Sequence, residues 1–434
     1  MIDLFLIEEQ SEELYDLIEI DNSLNDGRYI DELKKYQDII LSKSYILDEK
    51  ISVLEKKIRK SILEKYTGVR YRSPRTSNIK SDDWMEATNF DYERSMAPDY
   101  LEKKYIQERN VHQKFSCIYR SGMTALSSTF LTLTSFYKRN LDKLMYSYTT
   151  YFEIKTLIDG FIKSCHYNNH YINTVEELYF IVKNEKMDTL FLELMDVSMR
   201  DGPVDLEQLK KALLEREEKS SLIVIVDSTL VDDLVDKEQF IHGLPNNIIV
   251  IFIQSCLKLN QFGLEFCNMG LMEFYTNANI DRIELKRTFN AFRAVTGTSL
   301  DYIDECILLS PLFSKKRINF YCEKLRENVK YMFQQIKDNH IEEIKDINYQ
   351  ENAPFLLLKL IREEKEEYVE FINQISLFLS CRNDEFIYGT SFGFRHTRLE
   401  LIDHGDYTYS IRISPGRFWT KSTEDLCLFL KGGY

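Results

Sequence analysis

Two short runs constrain this chain more than anything else in it: Leu222-Ile-Val-Ile-Val226 and Ile248-Ile-Val-Ile-Phe-Ile253. Neither alternates polar with apolar residues, so each reads as a strand covered on both faces, the pattern of a parallel sheet flanked by helices. Leu144-Met-Tyr-Ser-Tyr148 and Thr189-Leu-Phe-Leu-Glu193 read as further strands. Between the strands, residues 176–182 and 204–214 carry apolar residues at helical spacing. From about residue 92 to 275 this alternation predicts an α/β unit with a mostly parallel sheet. Ligands of such sheets bind beyond the carboxyl ends of the strands.

The flanking segments have a different pattern. Residues 1 to about 70 read as helical and polar, with Leu33, Ile39, Ile40, Leu54 and Ile58 at helix spacing and Thr67-Gly68 as a stop. They predict one or two packing helices, with a partner-binding arm as the alternative. Residues 69–91 lack periodicity and read as an extended connector. Beyond residue 275 a helical stretch leads through a long helix at 317–337 to a smaller C-terminal unit. Strands are expected there at 355–360 and 410–414, and helices at 368–379 and 423–430. The expected organisation is a helical extension and connector (1–85), a large α/β domain (86–310) and a small α+β domain (311–434).

Composition excludes several functions. A net charge of −14 argues against a general nucleic-acid binder, which needs a basic face. No apolar run approaches the roughly 18 residues that span a bilayer. The acidic start Met-Ile-Asp-Leu-Phe-Leu-Ile-Glu-Glu does not read as a secretory signal. Eight cysteines without a CxxC pair fit reduced thiols in a cytoplasm, and seven histidines show no HExxH, so no metal site is expected. With only 15 glycines and no GxGxxG, a dinucleotide site is not indicated.

The chemistry lies at the strand ends. The first apolar run ends in Asp227, and the second leads into Ser255-Cys-Leu-Lys258. A lysine amine for an aldehyde and a carboxylate for a ring nitrogen are what pyridoxal 5′-phosphate (PLP) requires. Upstream, Arg120-Ser121-Gly122-Met123-Thr124-Ala125 reads as a small-residue turn opening a helix. Its free N–H groups and positive dipole end suit a phosphate.

Tyr92-Glu-Arg94-Ser-Met-Ala-Pro98-Asp-Tyr-Leu101-Glu102 extends the pattern, as do Tyr151-Phe-Glu, Tyr388-Gly-Thr-Ser391-Phe-Gly393 and Ser410-Ile-Arg412-Ile-Ser-Pro-Gly416. Over residues 88–434, in consistent order, the chain resembles the Cys/Met-metabolism group of PLP enzymes, which includes cystathionine lyases and synthases and methionine lyases. The resemblance implies the aspartate aminotransferase-like fold, fold type I. It implies a homodimer or homotetramer in which Tyr92 and Arg94 reach a neighbouring subunit's cofactor phosphate. It also implies that Tyr151 stacks on the pyridine ring, Arg412 binds the substrate α-carboxylate and Ser391 lines the substrate pocket. Lys258 would carry the cofactor as a Schiff base, Asp227 would pair its ring nitrogen, and Ser121, Gly122, Met123 and Ser255 would hold its phosphate.

The departures lie around the ring and the phosphate. The family's Glu-Thr-Pro-x-Asn-Pro corresponds to Glu193-Leu-Met-Asp-Val-Ser, so the Asn that contacts the ring's phenolic oxygen is missing, with Asp196 as its partial substitute. Leu257 replaces a Thr before the lysine, and Leu-Asn-Gln-Phe-Gly-Leu-Glu (259–265) replaces the small residues after it. The resemblance implies β- or γ-elimination or replacement on a cysteine-, homoserine- or methionine-like amino acid. The alternatives are another PLP reaction (transamination, decarboxylation or carbon–carbon bond formation) and a non-catalytic binding or scaffold protein on the same fold.

Overall fold

The computed structural model describes residues 2–43, 47–67, 98–105, 113–136, 143–165, 167–199, 201–338, 341–382, 387–389, 395–404 and 407–433. Three helices open the chain: α1 (Ile2–Asn25), α2 (Ile30–Lys43) and α3 (Asp48–Thr67). Leu14, Leu17, Ile20 and Leu24 of α1 are buried, as are Ile51, Leu54, Ile58 and Ile62 of α3. This i, i+3, i+4 stripe drives helices together. Where one or two helices were expected, there are three, because Gly27 at φ +72° and Asp26 at φ +56° turn the chain between α1 and α2.

The chain divides into two compact units. The first holds residues 71–257 and 267–309, and the second holds residues 1–70, 258–266 and 310–434. The N-terminal helices therefore group with the C-terminal segment instead of forming an extension of their own. The short segment Lys258–Phe266 also belongs to the second unit.

The first unit starts with α4 (Asp99–Tyr105) and β1 (Gln113–Tyr119). It continues through α5 (Gly122–Phe136), β2 (Lys143–Tyr148), α6 (Phe152–Cys165), β3 (Tyr167–Tyr171) and α7 (Val175–Asn184). Then follow β4 (Thr189–Glu193), α8 (Leu206–Leu214), β5 (Leu222–Asp227), α9 (Lys237–Ile241), β6 (Ile248–Ser255), β7 (Gly270–Thr276), α10 (Arg282–Thr296) and α11 (Tyr302–Leu308). The strands form one sheet in the order β1-β7-β6-β5-β4-β2-β3. All are parallel except β7, which runs against both of its neighbours. The residues of β4 are buried throughout, as are those of β5 up to Asp227, as the uninterrupted apolar runs require. The apolar core on one face joins Phe115, Leu126, Phe130, Ile154, Phe191, Ile225, Ile251 and Phe289.

In the second unit the C-terminal part adds α12 (Lys315–Ile336), β8 (Ile344–Asn348), β9 (Leu356–Leu360), α13 (Lys365–Cys381), β10 (Ile387–Tyr388), β11 (Arg398–Asp403), β12 (Tyr409–Ser414) and α14 (Lys421–Leu430). The sheet runs β10-β11-β12-β9-β8, antiparallel except for the first pair. Leu356, Leu358, Ile411 and Ile413 pack with Val329, Met332, Ile375 and Leu426 from the three helices and with Trp419 just before α14, and Leu6 of α1 joins the same core. No helix among the described residues is long and apolar enough to cross a membrane.

Candidate active site

In the first unit Asp196, Asp227 and Ser255 lie at or just past the carboxyl ends of β4, β5 and β6, Ser121–Met123 follow β1 and Tyr151 follows β2. At the start of α5, Ser121 caps the helix: its Oγ accepts from the Thr124 N–H at 3.1 Å, while its own N–H donates to Thr124 Oγ1 at 2.8 Å. This leaves the Gly122 and Met123 amides at the positive end of the helix, with no carbonyl of their own helix to bond. The turn is laid tightly against β6. A Cβ on Gly122 would lie 3.1 Å from Ser255 Cβ. Beneath it, a Cβ on Gly270 would fall 2.0 Å from the Ser121 carbonyl oxygen. Gly270 pairs with both Ser255 and Tyr119, so its missing side chain lets the turn cross over the sheet edge. The Ser255 N–H donates to Thr229 Oγ1 at 3.0 Å, and the Thr229 N–H donates to Asp227 Oδ1 at 2.9 Å. Thr229 thus links the serine to the aspartate. Neither Gly270 nor Thr229 was indicated by the sequence, since each acts through a contact between distant segments.

Asp227 has a second carboxyl beside it. Glu193 ends β4 directly opposite Asp227 in the parallel register. It accepts the Thr150 N–H at 2.8 Å. Burial, reinforced by the Asp227 charge, pushes the Glu193 carboxyl up to about 8, and burial likewise raises Asp227 above the usual carboxylate range. Asp196, buried nearby, accepts from the Thr150 hydroxyl and from the Ser198 N–H at 2.7 Å. Tyr151 precedes α6, packs at the edge of the apolar core and donates its hydroxyl to Glu153 Oε2 at 2.9 Å.

The second unit holds the other half of the set. Arg412 on β12 is cross-strand partner to Glu400 on β11, and the two side chains form an ion pair. The guanidinium also stands 5.3 Å over the Phe355 ring. Burial lowers the Lys258 amine; the carboxylates of Glu265 and Glu400 counter this, and the guanidiniums of Arg412 and Arg398 add to it. Of the charged groups that act on Lys258, Arg412 was singled out from the sequence and Glu400 and Glu265 were not. Tyr92, Arg94 and Ser391 lie outside the described residues.

The sequence matches no protein-family model and no curated protein. Solved structures do match. A methionine gamma lyase from Micromonospora echinospora superposes with a TM-score of 0.56 at 15% identity, covering 83% of this chain and 91% of its own. A cystathionine gamma synthase from Xanthomonas oryzae pv. oryzae, in complex with aminoacrylate and cysteine, gives a TM-score of 0.57 at 13% identity, covering 82% and 90%. The yeast cystathionine gamma-lyase gives 0.56 at 13%, covering 84% and 93%. The chain has fold type I, the fold of these PLP enzymes.

Within a fold type I unit the residues present fit a phosphorylated pyridine at both ends. The turn at Ser121–Met123, closed on Ser255 by Gly270, offers amides and hydroxyls to an anion. Among the described residues the groups that act on the raised Asp227 carboxyl, Thr229 and Asp232, include no cation, and a ring N–H⁺ would supply one. Leu257 offers no donor, so the phosphate end is poorer by one hydroxyl than the resemblance implies.

Proposed function

We propose that this protein is a PLP-dependent enzyme acting on an amino acid, by β- or γ-elimination or replacement. The observation that carries the reading is the turn packed on Gly270: it lays Gly122, at the start of α5, against Ser255, and Thr229 connects Ser255 to Asp227. Anion donors and a ring-nitrogen carboxylate are thereby ordered along adjacent strand ends of one sheet.

When bound, the cofactor supplies an electron sink for the bonds broken at the substrate's α-carbon. In this reading Gly122, Met123 and Ser255 hold the phosphate, with Tyr92 and Arg94 of a second copy completing it. Asp227 accepts the proton-bearing ring nitrogen. Lys258 would hold the aldehyde through its amine and, once the substrate's amine had displaced it, would take the α-proton as general base and return it as general acid. The lowered Lys258 amine suits that work, because a larger neutral fraction is available near neutral pH. Arg412 orients the α-carboxylate by a bidentate grip, which fixes the bond to be broken.

A second reading, a binding protein on the same fold, is favoured by one observation: Glu400 already neutralises Arg412. Adding PLP to the purified protein separates the two. The reading as an enzyme expects an absorbance band that is lost in Lys258→Ala, together with release of keto acid, thiol or ammonia from one member of a panel of amino acids. A wild-type protein that takes up no chromophore removes the reading. A Lys258→Ala protein mixed with an Arg94→Ala protein is expected to recover part of the activity if sites are shared between copies.

A further inference from the structure

Three side chains from distant parts of the sequence converge inside the second unit. Glu13 of α1, Glu55 of α3 and His396 each turn one ligand-type atom toward the others, all within 4.8 Å of one another. His396 Nε2 lies 2.9 Å from Glu55 Oε2 and 3.3 Å from Glu13 Oε1. Packing fixes each contributor. Leu14 and Leu17 of α1 and Leu54 and Ile58 of α3 are buried, which sets the rotation of the two helices and keeps the adjoining Glu13 and Glu55 inward. The main chain at His396 lies against Gly416, where a Cβ would fall 2.6 Å from the His396 carbonyl carbon. The Phe418 N–H donates to the Arg395 carbonyl oxygen at 3.0 Å and holds the same stretch.

Two observations show that the protein's own groups leave this cluster short of positive charge. An imidazolium carries one hydrogen on Nε2. Glu55 is the nearer acceptor, and Glu13 Oε1 takes no hydrogen bond although Glu13 is only 2% exposed. A buried carboxylate oxygen left without a donor is costly. The second observation is the balance of the ion-pair network that contains these residues. The carboxylates of Glu13, Glu55, Asp16 and Glu19 face the guanidiniums of Arg395 and Arg317, four against two. A proton on His396 answers one of the two excess charges, whereas a divalent cation answers both.

The donor set and its spacing suit Zn²⁺. Imidazole nitrogen and carboxylate oxygen bind this ion at about 2.0–2.2 Å, and a tetrahedron of that size sets its ligand atoms about 3.3–3.6 Å apart. The separations here, 2.9 and 3.3 Å, need little adjustment. Arg395 Nε, 3.2 Å from Glu55 Oε2, would remain as the hydrogen-bonding neighbour that orients a ligating carboxylate.

We propose that Glu13, Glu55 and His396 form a Zn²⁺ site that clasps α1 and α3 to the segment leading into β11. The site shares no residue with the set read as holding PLP and does not rest on that reading. In metal-free protein the imidazolium proton takes the ion's place between the two carboxylates.

The test uses the full-length protein, dialysed against EDTA and then titrated with zinc chloride by calorimetry. Metal content after gel filtration is read by mass spectrometry. One Zn²⁺ per chain is expected, with a melting temperature that rises with free Zn²⁺. Mg²⁺, which demands octahedral oxygen ligands, should give no such rise. Glu13→Gln and His396→Gln should each weaken binding roughly tenfold or more and remove the rise in melting temperature. Glu12→Gln, on the same helix but paired with Arg417, should leave binding unchanged, as should Cys381→Ser, which removes an exposed thiol. Protein that takes up no Zn²⁺ at one per chain overturns the proposal. So does uptake that survives both Glu13→Gln and His396→Gln, or uptake that Cys381→Ser abolishes. Should those two ligand variants fail to fold by circular dichroism, Glu13→Asp decides: it keeps the charge but shortens the reach, so weaker Zn²⁺ binding upholds the site and unchanged binding overturns it.

Discussion

Glu193 and Asp227 occupy directly paired positions at the carboxyl ends of two adjacent parallel strands. Two buried carboxyls so placed resist ionising together. Glu193 takes the larger part of that cost and is raised to about 8, so it is largely protonated at neutral pH. A carboxyl raised in the folded state favours folding below its unfolded value, near 4.5, and that contribution is lost as pH rises toward 8. Glu193→Gln keeps the shape and cannot ionise. Its stability relative to wild type is therefore expected to grow between pH 5 and pH 9, by on the order of 2 kcal/mol. Urea midpoints at the two pH values measure this; a difference that stays constant with pH would contradict the pairing.

Gly270 tests the proposed role of the Ser121–Met123 turn from below. A Cβ there would meet the Ser121 carbonyl carbon at 2.2 Å and the Gly122 nitrogen at 2.6 Å, both backbone atoms that cannot rotate away. Gly270→Ala is expected to cost about 1–3 kcal/mol of stability and to displace the turn. Affinity for PLP, measured by fluorescence titration, should fall about tenfold or more. Gly122→Ala, whose Cβ would lie 3.1 Å from the Ser255 side chain, should do less on both counts. Equal effects would show that the turn does not depend on the sheet edge beneath it.

How much of this was legible in the chain follows from where the information resides. β4, β5 and β6 were visible because residues buried on both faces leave an apolar run that needs no partner to recognise. β1 and β7 were not, because each carries a charge inside the sheet. Lys114 of β1 is buried against Glu238, and Glu273 of β7 against Lys237. Such positions look solvent-facing until the partner, many residues away, is known. The same reason hid the grouping of α1 with the C-terminal segment. Glu9, Glu12 and Asp16 gave α1 the look of a solvated helix, but they answer Arg417 and Arg395. Asp227 was legible at the end of a strand, Lys258 just beyond one and Arg412 within one. Thr229, Gly270 and Glu400 exert their effects only through contacts across the fold.

The Glu400–Arg412 pair gives a prediction about substrate. Both side chains are mostly buried, at 15% and 8% exposure, so the pair is shielded and neither charge is readily spared. If Arg412 binds the substrate as proposed, a substrate carboxylate would have to compete with Glu400 for the guanidinium. Glu400→Gln retains a hydrogen-bond acceptor and removes the competing charge. It is expected to tighten binding of amino-acid substrates by roughly tenfold, on a charge-assisted bond of about 1.5–3 kcal/mol. Arg412→Lys should weaken binding by a similar factor, for want of the second donor. Isothermal titration with the amino acids that are turned over would read both. Tighter binding in Arg412→Lys would place the substrate carboxylate elsewhere.

His396 joins α1 and α3 to the C-terminal sheet through buried charge, and its titration should be visible in stability. Its Nε2 lies 2.9 Å from Glu55 Oε2 and 3.3 Å from Glu13 Oε1, while Arg395 pairs with Asp16 and Glu55. Burial alone would lower the imidazole, but the Glu13 and Glu55 charges outweigh it and raise it to about 9. Burial raises Glu13 to about 7; Glu55, which burial would also raise, is drawn down to about 2 by His396 and Arg395. A raised histidine stabilises fully below its unfolded value near 6.5, and that stabilisation is lost as pH rises through 9. The lowered Glu55 contributes above about 4.5 and is lost only as pH falls toward 2. His396→Gln should therefore cost about 1–3 kcal/mol near pH 6, where the imidazolium is fully formed and Glu55 is ionised. By pH 10 the wild-type advantage should have largely disappeared. Thermal melts of the two proteins across this range decide it: a penalty independent of pH would mean that His396 holds the helices by packing and not by charge.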